Sequence, residues 1–142
     1  MTAIVGEGVT LRGLYQDAFS YTWNITGTCV AADVGKAVCQ DTSVANSVKL
    51  ATADSVILGS LASYENRTIE GIVVGAVYRK GVFVWTYTGA DPALGQSVVG
   101  GANPGTVKGA LTGGETPAAV LSPNNRIIDI DTVAKTVTVL FD

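Results

Sequence analysis

The chain has 142 residues, the size of one domain, enough to bury roughly two thirds of its unfolded surface without staples. Charged residues make up 15% of it, against about 25% in an ordinary soluble domain, and hydrophobic residues 47%; the expected surface is therefore one largely hidden against other chains. A net charge of −3, with Arg79-Lys80 the only adjacent basic pair, excludes the basic face that a nucleic-acid partner requires.

In chain order, residues 1–32 stand apart as an N-terminal extended arm or first strand, and residues 33–142 as the β domain. The first segment carries Tyr15, Phe19, Tyr21 and Trp23. The last three alternate, which places them on one face of an extended strand. Aromatic side chains are preferred interface anchors, so the four are candidate contacts to a capsid or neighbouring subunit, with packing in the chain's own core as the alternative. No h-region follows a basic start, so no signal peptide is expected, and Cys29 and Cys39, lacking a secretory context, are expected as free buried thiols.

From residue 33 the chain reads as short strands with Gly and Asp punctuation. A turn at 33–36 leads into a strand at 37–40; a polar loop at 41–47 leads into one around Val48 and Leu50; a turn at 53–55 leads into one starting at 56–59. Residues 62–67 read as a polar connection. Residues 70–78 and 82–87 read as the two arms of a hairpin around Arg79-Lys80-Gly81, with Gly at the position that takes a left-handed backbone. Turn signals follow at 88–92 and 103–105, with a short strand at 106–108. Residues 109–125, GALTGGETPAAVLSPNN, read as a long exposed loop, in which Leu111, Pro117 and Leu121 are further candidate interface residues. A second hairpin closes the chain, 126–131 and 136–141 about a turn at 132–135. Val137, Val139 and Phe141 share one face of its last strand. Strand signals every 8–12 residues, and no confident helix, predict an all-β fold: a compact β-barrel or β-sandwich of short antiparallel strands.

The chemistry of sites is sparse. The sequence has no histidine, which removes the commonest general base and zinc ligand. Asp129 and Asp131 share a strand face and read as its polar side beside a turn rather than a calcium site. Glu65 and Glu70 flank Arg67 and are expected to pair with it. Glycine-rich stretches precede no helix, so no phosphate cradle forms, and no apolar run approaches the roughly 20 residues of a membrane helix. Catalytic residues, cofactors, metals, nucleic acid and membrane are all expected to be absent. Trp85 and Tyr87 share a strand face; core packing is the expected fate of both, and stacking on a sugar the rival one.

The succession GKAVCQD, then VKLATADSVILGSLASYENRTIEGIVVGAVYRKGVFVWTYTGADPALGQSVVGGANPGTVKGA, then NNRIIDIDTVAKTVTVLFD resembles the small capsid decoration (cement) proteins of tailed bacteriophages. The likeness covers residues 34–142, including the Gly-rich middle at Gly89, Gly95, Gly100 and Gly101 and the terminal strand. It implies a compact β-barrel or β-sandwich that binds the outer surface of the major capsid protein lattice and stabilises the shell without catalysis. It also implies self-association as a homotrimer, with a dimer as the alternative, and a place on the virion's outer capsid surface after synthesis in the host cytoplasm. In such families the first segment often reaches onto neighbouring subunits. A ligand- or carbohydrate-binding β domain of a phage tail or fibre is the rival reading.

Overall fold

A computed structural model describes residues 20–110 and 125–141. The fold is all-β. Among the described residues eleven strands run in chain order: β1 Ser20–Ile25, β2 Ala37–Gln40, β3 Ser47–Leu50, β4 Gly59–Leu61, β5 Glu65–Arg67, β6 Ile72–Tyr78, β7 Gly81–Thr86, β8 Val98–Gly100, β9 Val107–Gly109, β10 Asn125–Asp131 and β11 Thr136–Phe141. One short 3-10 turn, Ala31–Asp33, interrupts them. Among the described residues no helix is long and apolar enough to cross a membrane.

Five strands close a barrel. The order β1-β3-β2-β4-β6 returns on itself because β1 also pairs with β6, along Ser20↔Tyr78 to Asn24↔Val74. Closure removes the free edges that make a sheet sticky. The pairs are antiparallel except β1–β3, which is parallel (Asn24↔Ser47, Ile25↔Val48). The short β5 extends the outer part of β6. Small and branched side chains suit so narrow an interior: Ile25, Val38, Val48, Leu50, Leu61 and Val77 fill it, with Trp23, Leu58, Tyr64 and Val73 at its margins.

A second layer packs on the barrel. Strands β10-β11-β7 form an antiparallel sheet, and β8-β9 a small hairpin beside it. The inner face of the sheet carries Trp85, Ile127, Val137, Val139 and Phe141, which meet Ala37, Ile57, Val98 and Val107 in a second core. Strand β2 lies between the two cores, with Ala37 in one and Val38 in the other; residues 37–39 are therefore buried on both faces. Within this layer Asn125 ties β10 to β8, its side-chain oxygen accepting from the Val98 N–H at 2.8 Å.

Several expectations hold in place: β2, β3, the turn at 53–55, and the terminal hairpin with Val137, Val139 and Phe141 inward. The cysteines are free and buried. Three expectations do not hold. The segments at 70–78 and 82–87 do not pair with each other: β6 belongs to the barrel and β7 to the second sheet. Arg79-Lys80-Gly81 is a corner, with Gly81 at φ 134°, where one bent strand changes sheets. The strand expected from Val56 instead begins at Gly59, and the connection expected at 62–67 contains β5, whose side chains are all exposed. The predicted loop lies outside the described residues over 111–124, and Asn125 at its end belongs to β10.

Candidate functional surface

Local hydrogen bonds and ion pairs span several turns of this body and engage many of its charged groups. Arg67 bridges Glu65 at 3.1 Å and Glu70 at 3.6 Å, as expected from their spacing, and so braces the loop that carries the fully exposed Ile69. Asp131 Oδ1 accepts from the Val133 and Ala134 N–H groups at 3.0 and 2.9 Å. That caps the β10–β11 turn and projects Val133, which is 94% exposed. Asp131 is thus a turn residue, as its position beside the turn suggests. The same end is clamped by Asp91, which accepts from the Tyr87 hydroxyl at 2.7 Å and from Lys135 Nζ at 2.9 Å, while Lys135 lies 5.2 Å from the Tyr87 ring centroid. The hydrogen bond to Asp91 raises the Tyr87 pKa, and the hydrogen bond from Tyr87, followed by that from Lys135, lowers that of Asp91.

Asp41 is the carboxylate with the clearest perturbation, and its role is structural. Its carboxyl is held down at about 2 by hydrogen bonds from the Ser43 hydroxyl (2.6 Å), the Thr26 hydroxyl (2.6 Å) and the Ser43 N–H (3.0 Å). The Thr26 bond joins the end of β1 to the β2–β3 loop. Because the folded value lies below the unfolded one of about 4, this clasp contributes fully above pH 4 and is lost as pH falls from about 4 to about 2. In thermal melts at stepped pH, the gap between the parent protein and Asp41→Asn should therefore narrow across that window. A constant gap would mean that the charge of Asp41 does not contribute.

Among the described residues, several exposed apolar side chains share the outer face of the β10-β11-β7 sheet. Val82 and Val84 on β7, Leu140 on β11 and Ile128 on β10 are between 38% and 61% exposed. Val82 stands opposite Leu140, and Leu140 opposite Arg126. A β-bulge between Ile127 and Asp129 adds Ile128 to this face: Ile127 pairs with Val139 and Asp129 with Thr138, so Ile128 has no partner of its own and points outward. Sequence reasoning missed the patch because an alternating pattern marks two faces without saying that the polar one is interrupted by Val82, Val84 and Ile128.

Of the residues singled out from sequence, Tyr15, Phe19, Leu111, Pro117 and Leu121 lie outside the described residues. The backbone of Tyr21 pairs with Val77 inside the barrel wall. Trp23 is half-buried against the barrel core of its own chain. Trp85 and Tyr87 are each 2% exposed and sit in the second core, as expected, so neither offers a ring face to a sugar. Among the described residues, no group of three or more Cys, Asp or Glu side chains is placed to hold a metal ion. Comparison with models of known protein families, with curated protein sequences and with solved structures finds no match.

Proposed function

We propose that this protein is a non-catalytic structural component of a virion: a head decoration protein of a tailed bacteriophage, self-associated, that binds the outer surface of the major capsid protein lattice and stabilises the shell. The observation that carries the reading is the exposed apolar row Val82–Leu140 with Ile128 beside it, on a sheet backed by a closed barrel. Exposed patches of this kind mark protein contacts, and a rigid backing lets each contact form at little entropic cost. The braced tips at Ile69 and Val133 add fixed apolar points at the periphery. The resemblance of residues 34–142 to cement proteins supplies the partner. Many copies on one lattice turn modest single interfaces into durable attachment.

Co-sedimentation of the purified protein with expanded capsids tests the proposal. Ile128→Asp alters an exposed bulge residue, so stability should stay within about 0.5 kcal/mol of the parent. Capsid binding should weaken by at least about tenfold, equivalent to roughly 1.4 kcal/mol per site. A parent protein that fails to sediment with capsids would overturn the reading. Binding untouched by Ile128→Asp would remove this face from it.

A further inference from the structure

The outer face of the β10-β11-β7 sheet is ordered in rows that run across its strands. Val82, Leu140 and Arg126 stand side by side in one row, and Val84, Thr138 and Asp129 in the next. The bulge residue Ile128 projects between Arg126 and Asp129. Each row therefore begins apolar on β7 and ends charged on β10, and the two charges have opposite signs.

Neither charge is used within the chain. Lys36, Arg67, Lys108 and Lys135 each hold a carboxylate of this chain, at distances between 2.6 and 3.1 Å. Arg126 and Asp129 are both exposed. Among the described residues neither side chain has a hydrogen bond or an ion pair, and the two do not pair with each other. Opposite charges left beside exposed apolar side chains suit a partner that carries the complementary signs. Here the face itself carries them, one row apart and in reverse order.

We infer that this face receives the same face of a second copy of the chain, about a two-fold axis that crosses the strands between the two rows. That rotation reverses the strand direction and lays each row over the other. Arg126 then meets the partner's Asp129, Val82 meets the partner's Val84, Leu140 meets the partner's Thr138, and Ile128 meets the partner's Ile128. Sheets stacked face to face lie about 10 Å apart with their strands within about 30° of each other, a gap that side chains of this size fill and that an arginine spans. Other placements lose the match. An axis parallel to the strands sets Arg126 over Val82. An axis moved toward Asp131 sets Asp129 against a like charge, either its own copy or Asp131. A self-complementary patch is what a two-fold contact requires, because each residue pair occurs twice. The contact is two-fold, where the resemblance to cement proteins implies three-fold association. The inference rests on the self-association in the proposed function and gives the apolar row to it. Each dimer then attaches to a lattice through two copies, and Ile128→Asp weakens capsid binding by separating them.

The test is sedimentation equilibrium over a range of concentrations on the parent, Arg126→Asp, Asp129→Arg and the variant carrying both changes. A three-stranded face is small against the roughly 800 Å² per partner of a standard interface, so the parent should be a dimer that dissociates on dilution. Each single change sets like charges together at both pairs and should raise the dissociation constant at least about tenfold. The double variant should dimerise as the parent does, and so should an equimolar mixture of the two single variants, because both restore opposite charges across the axis. All four proteins should share one near-ultraviolet circular dichroism spectrum, since the altered side chains are exposed. Ile128→Cys gives a second readout: a short bismaleimide should link its copies, the native cysteines being buried. A parent that is monomeric or trimeric throughout would overturn the inference, as would a dimer untouched by the single changes. Single changes that weaken the dimer without recovery in the double variant and the mixture would overturn the pairing of Arg126 with Asp129, and an unlinked Ile128→Cys the placement of the axis. A parent that dimerises in this way and fails to sediment with capsids would overturn the capsid reading alone.

Discussion

Replacing Trp85 by alanine should destabilise the protein by about 3–5 kcal/mol, the range for emptying a large aromatic site in a packed core. For a chain of this length that lowers the melting midpoint by roughly 10–15 °C. The size of the effect follows from what the ring touches. Trp85 is 2% exposed, stacks on Phe83 with centroids 5.4 Å apart and planes at 18°, and meets Phe141 edge-on at 6.4 Å and 78°. Each of these geometries adds to the area term. Phe83 and Trp85 come from β7 and Phe141 from β11, so the cluster pins the sheet whose outer face carries the proposed contacts. Trp85→Phe should cost much less: it keeps an aromatic ring against its neighbours and removes an indole N–H that has no hydrogen-bond partner among the described residues. Calorimetry on the two variants checks both values. A Trp85→Ala loss below about 1 kcal/mol would show that the ring is not embedded, and would bring back the sugar-stacking role that its burial removes.

What the sequence made legible was local. Strand β2, the polar loop expected at 41–47, whose last residue Ser47 begins β3, and the β10–β11 hairpin each follow from alternation and turn chemistry within a dozen residues. Where the outcome depends on a distant partner, the same signals mislead. A Gly at the end of a two-arm apolar run suits a hairpin and a sheet-changing corner equally well. The choice between them is made by β11, which begins fifty residues later and pairs with β7 along its whole length, Thr136↔Thr86 to Phe141↔Gly81. Strand β5 escaped notice because Glu65, Asn66 and Arg67 are all exposed and polar; it is held by backbone pairing to β6 rather than by burial. Val56-Ile57-Leu58 has the composition of a strand, yet the ladder starts one residue after it, where Val38 pairs with Gly59. The candidate site was less legible than the fold. Trp23 drew attention as a large aromatic of a possible arm and packs at home, whereas Ile128 owes its exposure to a bulge that no local pattern announces.

Gly75→Ala should cost about 3 kcal/mol, the upper end for overpacking, because the nearest atom in the way is a backbone carbonyl oxygen, that of Ser63. Strand β6 is the hub of the barrel. On one edge it pairs with β1, where Trp23 stands opposite Gly75. On the other it changes partner midway, from β5 at Glu65↔Val74 to β4 at Leu61↔Val77. The chain between β4 and β5 must therefore cross close to β6 at the point of change. It does so through bonds to a single residue: the Ala62 N–H donates to the Ala76 carbonyl at 2.8 Å, and the Ala76 N–H donates to the Ser63 hydroxyl at 2.9 Å. That crossing lays the Ser63 carbonyl oxygen where a Cβ on residue 75 would sit, and Ile25 Cδ1 would lie 2.6 Å from the same atom. Alanine leaves two ways out. Either the 62–64 connection lifts and breaks its bonds to Ala76, or β6 turns and unzips from β1, which opens the barrel. The two routes are told apart by amide exchange: the first exposes Ala62 and Ala76 alone, the second the whole β1–β6 ladder. A variant as stable as the parent, with both sets of amides protected, would show that the barrel closes without this close approach.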